Sequence, residues 1–262
     1  MDEVETEMSR VRGRVTSRDG TPIAYERYGD GPPVVLVSGA LGTAGSERPL
    51  GLLLARRFSV LAYDRRGRGG SGDTGPYAVE REVEDLAAVV AEAGAGAALH
   101  GTGTGGALAL AAVAAGLTVG HVSVYEPPYS AEAAQGWSRV AELLGRGRRS
   151  AAVALFLTDS AGPAELRPGL TDLAHTLAYD LAVLGDGTVP ERRLAGVHAR
   201  VLVVDGGASP AGTRRAARAA TAALPRARHR TLTGQTPEVA PHVLAPVLTE
   251  FFCEDREAVE AA

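Results

Sequence analysis

The chain has no lysine and no asparagine, and only one cysteine and one tryptophan among its 262 residues. Without lysine there is no Schiff-base chemistry and no lysine general base; arginine alone carries the fixed positive charge. A single cysteine, Cys253, cannot form a disulfide within the chain, and a reducing, cytoplasmic setting is expected. Beside Phe251 and Phe252 it reads as a small buried hydrophobe. The first residues, Met1-Asp2-Glu3-Val4-Glu5-Thr6-Glu7, are acidic, the opposite of a signal peptide's positive start, so no secretion signal is expected. No apolar run approaches the ~20 residues of a membrane span. A formal net charge of −4 and an isoelectric point near 5.9 argue against nucleic acid as a partner. No metal or cofactor is expected, and alanine-rich patches recur without a fixed period.

What is present is an alternation of strand-like and helix-like segments, the pattern of a mostly parallel sheet covered on both faces. Residues 15–17 and 23–28 read as a hairpin joined through Asp19-Gly20. Pro33–Val37, Ser59–Tyr63, 122–125 and 200–204 are apolar runs suited to buried strands. Val79–Ala93 has helical periodicity, with Val79, Val83, Leu86 and Val90 on one face. Residues 212–224 and 241–252 read as helices and 228–232 as a last strand. The stretch 127–197 breaks the rhythm and reads as largely helical.

At residues 97–110 an apolar strand runs through Gly101-x-Gly103-x-Gly105 into an Ala/Leu-rich helix. That is the setting of the G-x-S-x-G nucleophile elbow, in which a serine is held exposed on a strained strand-to-helix turn. Here the central residue is Gly103, which has no side chain to attack with. Two further segments belong beside it: Val37-Ser38-Gly39-Ala40-Leu41-Gly42 after one strand and Asp64-Arg65-Arg66-Gly67-Arg68-Gly69-Gly70-Ser71-Gly72 after the next.

With these three motifs the chain from Val15 to Phe252 resembles the α/β-hydrolase superfamily. The resemblance implies an α/β-hydrolase fold, with a core of residues 10–126 and 198–254, a helical cap insertion at 127–197, and flexible termini at 1–9 and 255–262. It also shows which triad positions are changed. Gly103 stands in the serine's place and Pro237 where the histidine would align. The acid position after the seventh strand holds Ser209. Some relatives take their acid from the end of the sixth strand, where this chain has Glu126. His242 falls in the following helix and reads as a surface residue.

An oxyanion hole built from backbone N–H groups survives side-chain replacement. Thr104, at a helix start, would supply one donor and Ala40 or Leu41 the other. In the cap, Asp172, His175 and Tyr179 fall at i, i+3 and i+7, which on a continuous helix is one face. If that face meets the pocket, it offers an acid, an imidazole and a phenol; otherwise it is a solvated face. The expected catalytic groups are Glu126, His175 and Tyr179. Ala40, Leu41, Thr102, Gly103, Thr104, Tyr129 and Trp137 are expected to bind a small, largely apolar substrate.

Three functions compete. One is a non-hydrolytic enzyme, a cyclase, isomerase or dehydratase acting on a specialised-metabolite intermediate. The second is a binding protein or scaffold that kept the pocket and lost turnover. The third is a hydrolase with relocated residues. Fold alone does not choose among them.

Overall fold

Residues 10–159 and 169–254 are described by the computed structural model. The expected termini, 1–9 and 255–262, lie outside the described residues, as do positions 160–168 of the expected cap.

The chain opens with β1 (Arg10–Thr16) and β2 (Pro22–Tyr28), an antiparallel hairpin with Val15 opposite Ile23. β3 (Pro33–Val37) follows, then α1 (Ala44–Leu54), β4 (Ser59–Tyr63) and α2 (Val79–Ala93). β5 (Ala98–Thr102) leads into α3 (Thr104–Ala114), and β6 (His121–Tyr125) ends the first half of the sheet. Between β6 and the next strand lie α4 (Ala131–Gly145), α5 (Arg149–Asp159), a 3₁₀ turn at Ala174–Thr176, α6 (Leu177–Leu184) and the short α7 (Glu191–Leu194). β7 (Arg200–Gly206), α8 (Ala211–Ala223), β8 (Ala227–Leu232) and α9 (Pro241–Cys253) complete the chain.

The eight strands form one sheet in the order β1-β2-β4-β3-β5-β6-β7-β8. From β4 to β8 every pairing is parallel; β2 joins β4 antiparallel. Parallel strands are covered on both faces, which is why β3 and β4 are nearly continuous apolar runs rather than alternating ones. One face packs on α2, α3, α8 and the helices between β6 and β7, through residues such as Leu86, Leu108, Leu177 and Ala217. The other packs on α1 and α9, through Leu50, Leu54, Leu248 and Phe252. Cys253, at the end of α9, is half-buried.

α1 has no counterpart in the sequence reading. Gly45, Ser46 and Pro49 obscure its helical character. It forms because its first N–H groups find partners: Ala44 donates to Asp64 Oδ1 at 2.7 Å, and Ser46 Oγ accepts from the Thr43 N–H at 2.9 Å. Gly51 also lets α1 lie against the Tyr28 ring, where a Cβ would sit 3.3 Å from it.

The Asp-Arg-Arg-Gly-Arg-Gly loop after β4 turns its arginines inward. Arg65, Arg66 and Arg68 are all nearly inaccessible. Arg66 forks onto Asp85 at 2.9 and 2.7 Å, and also reaches Asp19 at 2.7 Å. Arg65 forks onto Glu82 at 2.8 and 2.9 Å. Such guanidiniums are tolerated inside a protein only when their donors are matched in this bidentate way.

Candidate functional site

The carboxyl ends of β5 and β6 meet at the elbow. Gly103 has φ 56° and ψ −122°, a left-sided conformation costly for most side chains. Its neighbours must be small for a different reason. A Cβ on Gly105 would come within 2.2 Å of the Val37 carbonyl oxygen, and one on Gly101 within 2.6 Å of Gly105. These glycines let α3 start hard against β3 and β5. A Cβ at Gly103 itself would meet nothing within 4 Å, because this position faces a cavity.

That cavity is about 770 Å³. Gly39, Ala40, Thr102, Gly103 and Thr104 form its floor, with Glu126 beside them. Trp137, Val140, Phe156 and Leu157, from α4 and α5, form an apolar wall, with the Trp137 and Phe156 rings 5.1 Å apart. Pro237 lies on the β8–α9 side, and its ring offers no base.

Glu126 is the cavity's buried carboxyl. Its backbone sits at φ 49°, in the left-handed region. Among the described residues only Leu41, at φ 57°, shares that trait without being glycine, and it lies beside the same floor. Such backbone strain gathers at functional sites. Glu126 Oε1 accepts from Ser209 Oγ at 2.6 Å and from the Gly206 N–H at 2.8 Å. Oε2 is buried and takes no well-aligned hydrogen bond from any described residue. The Tyr125 hydroxyl beside it donates to the Thr236 carbonyl at 2.5 Å. Burial pushes the Glu126 pKa up, and the charge of Asp205 adds to this; the Ser209 hydroxyl, the Gly206 N–H and Tyr125 pull the other way without cancelling it.

The structure therefore gathers Ala40, Thr102, Gly103, Thr104, Glu126 and Trp137 at one cavity. Ser209, which the sequence offered as an alternative acid position, turns out to be Glu126's hydrogen-bond donor. Four expected residues lie elsewhere. Leu41 turns into the core, where its positive φ allows the Gly42 N–H to close on the Gly39 carbonyl at 3.1 Å. Tyr129 is buried in packing.

His175 and Tyr179 do not line the cavity, because the helix assumed to carry them is interrupted. Residues 170–173 form turns, and the chain enters α6 only after the 3₁₀ turn. That change of winding rotates both side chains onto the loop after β4. His175 Nε2 lies 3.3 Å from Asp73, and the Tyr179 hydroxyl donates to the same carboxylate at 3.0 Å. Tyr179 also stacks on Tyr77 with ring centroids 3.9 Å apart. Asp172 is exposed, and only its carbonyl reaches His175, at 3.0 Å. His242 is exposed, as expected.

The residue the sequence reading passed over is Asp180. It is fully buried and reaches back from α6 to the floor. Thr104 Oγ1 donates to it at 2.7 Å, Arg65 Nη1 at 2.7 Å and Arg68 Nη2 at 2.8 Å. Burial works against its charge, but Arg68, Arg65 and the Thr104 hydroxyl outweigh that and hold it ionised. No group of three or more His, Cys, Asp or Glu residues that could hold a metal is found among the described residues. No described helix is long and apolar enough to cross a membrane.

The model of the alpha/beta hydrolase family matches residues 34–255, and the chain belongs to that family. It is 47% identical to an alpha/beta hydrolase of Sphaerobacter thermophilus, with a TM-score of 0.83 over 92% of this chain and 100% of that one. A thermophilic esterase from Thermogutta terrifontis is 20% identical with a TM-score of 0.72, covering 93% and 98% of the two chains, and shares the fold. Curated relatives match over shorter stretches. RutD of Azorhizobium caulinodans, named as a carbamate hydrolase, is 42% identical over 71 residues, 27% of either protein. A non-heme haloperoxidase of Rhodococcus erythropolis is 37% identical over 88 residues, 33% of this chain and 32% of that protein. The aligned part thus spans about a third or less of these relatives' length.

Proposed function

We propose that this alpha/beta hydrolase family member is a non-hydrolytic enzyme: an isomerase, cyclase or dehydratase that moves a proton on a largely apolar, carbonyl-bearing small molecule, of the kind found in specialised metabolism. Residues 127–197 act as its cap. The observation that carries the reading is Glu126, a buried carboxyl with one oxygen tied down and the other taking no well-aligned hydrogen bond from any described residue, beside an elbow that holds glycine. With Gly103 at the serine's place and Pro237 at the histidine's, neither position can form or break an acyl intermediate. What remains suits proton transfer. The Glu126 carboxylate, made more basic by burial, takes a proton from the carbon next to the carbonyl. The backbone N–H groups of Thr104 and Ala40 bind the oxygen on which negative charge develops. Return of the proton from Glu126 to another carbon gives isomerisation, and its delivery to a β-hydroxyl, which departs as water as the C–O bond breaks, gives dehydration.

Two measurements test this together. Incubation with a fluorophosphonate probe and 4-nitrophenyl esters is expected to give no labelling and no burst. Incubation of a panel of apolar ketones and enones in D₂O is expected to give deuterium uptake next to the carbonyl by the wild type and none by Glu126→Gln. Stoichiometric probe labelling in the cavity would restore a covalent hydrolase and end the proposal.

A second reading, a binding protein without turnover, draws support from His175 and Tyr179 lying outside the cavity; within it Glu126 is the only buried carboxyl among the described lining residues. Tight ligand binding with no deuterium uptake by any variant would favour it.

A further inference from the structure

Asp180 ties three side chains together beneath the cavity floor. Its Oδ1 accepts from the Thr104 hydroxyl and from Arg65, and its Oδ2 from Arg68. The two arginines continue to the loop after β3. Arg65 Nη1 reaches the Ser38 carbonyl at 3.3 Å, and Arg68 Nη1 reaches the carbonyls of Gly39 at 2.6 Å and Gly42 at 3.3 Å.

A trans peptide is planar, and its C=O and N–H point in opposite directions. Holding the Gly39 carbonyl toward the buried guanidinium of Arg68 therefore aims the N–H of Ala40, the other end of that peptide, away from it and toward the cavity that Gly39 and Ala40 line. The Gly42 N–H supports the same orientation from within the turn. At the elbow, the Gly103 carbonyl is taken by Ala107 at 3.2 Å, so the N–H of Thr104 on that peptide faces out from the helix start. The Thr104 hydroxyl, bound to Asp180, fixes the residue that bears it.

From this geometry we infer that Asp180 is a positioning residue: one carboxylate on α6 holds the two backbone N–H donors, of Ala40 and Thr104, in register on a shared oxygen position. The inference rests on the proposed use of those donors. It adds that the segment between β6 and β7 reaches under the floor and sets the donors' alignment, besides walling the cavity.

The experiment reads orientation and binding separately. Amide resonances and hydrogen-exchange rates of Ala40 and Thr104 are measured in the wild type and in Asp180→Asn, which keeps the shape and loses the charge. Both amides are expected to shift and to exchange at least about tenfold faster in the variant, while the β1–β2 hairpin amides stay unchanged. Binding of 4-nitrophenolate, followed by its absorbance, is expected to weaken on the order of tenfold, part of the ~10²–10³-fold that losing one such donor costs. Thr104→Val, which leaves the Asp180–arginine contacts in place, is expected to move the Thr104 amide and spare that of Ala40. It serves as the readout if Asp180→Asn does not fold, and a Thr104 amide unmoved in folded Thr104→Val overturns the inference. So does an Ala40 amide unmoved in folded Asp180→Asn. A wild type that fails to bind the phenolate instead overturns the donors' proposed use, and the amide measurements still decide whether Asp180 orients them.

Discussion

The Gly103 N–H donates to the Tyr125 carbonyl at 2.8 Å, which places the side-chain-free elbow and the buried carboxyl of Glu126 on adjoining strand ends. In a hydrolase of this fold the elbow presents a nucleophile and the acid stands behind a histidine. Among the described residues that line this cavity there is no histidine, and Glu126 lines it directly.

The glycines of the elbow separate into two kinds. Gly103→Ser has room for its side chain and meets only the backbone strain of φ 56°, about 1–2 kcal/mol. It should fold and still lack efficient esterase activity, since no imidazole lines the cavity among the described residues to relay the new serine's proton. Gly105→Ala pushes a methyl into the Val37 carbonyl and should lose at least about 3 kcal/mol or fail to fold. Chemical denaturation of the two variants, with 4-nitrophenyl acetate turnover of the first, checks both. Robust turnover by Gly103→Ser would show that Glu126 or another group nearby can take the serine's proton without an imidazole.

Glu126 and Ser209 should act as a pair. Glu126→Gln removes the ionisable group and should lower deuterium uptake by about 10²-fold or more, with stability largely kept. Ser209→Ala removes a hydrogen bond that pulls the Glu126 pKa down. The carboxyl then ionises at higher pH, so the acid limb of the pH profile for deuterium uptake should move upward. A profile that stays fixed in Ser209→Ala would detach Glu126 from the titration.

His175→Ala and Tyr179→Phe should leave ligand affinity and deuterium uptake unchanged. Their partner is Asp73, outside the cavity, and stability should change by no more than about 0.5 kcal/mol for such partly exposed contacts. Isothermal titration of any ligand found for the wild type gives the comparison. A tenfold loss of affinity in either variant would return them to the site.

His100 gives the fold an acid-sensitive point. It is almost fully buried, and burial lowers its pKa to about 3. The unfolded chain takes up this proton near pH 6.5 and the native state does not, so stability is present above that pH and is lost as pH falls toward the folded value. At pH 5 the loss is about 2 kcal/mol. Thermal unfolding should show a steeper drop between pH 6.5 and 4 for the wild type than for His100→Leu. Parallel curves would remove His100 as the cause.

Much of this molecule is written in short-range pattern. β3, β4 and α2 span the residues expected for them, because apolar β-branched runs and a 3.6-residue period are local signals. The elbow, the glycine at its centre and Glu126 at the end of β6 were legible for the same reason: each is tied to a strand end. The rest depended on distance. α1 reads as a loop through Gly45 and Pro49, and becomes a helix by packing on Tyr28 and α9. Asp180 looks like one charge on a Leu/Ala-rich helix, and its meaning lies in arginines 115 and 112 positions away. Ser209 and Glu126, 83 residues apart, stand in sequence at two alternative places for the family's acid, and the sheet closes them into one hydrogen bond. His175 and Tyr179 share a face only on an unbroken helix, and the burial of Ala174, Leu177 and Asp180 set a different winding. Local pattern decides which segments become strands and helices; which side chains face one another is decided by burying apolar surface and pairing buried charge across the chain, and neither leaves a mark in neighbouring residues.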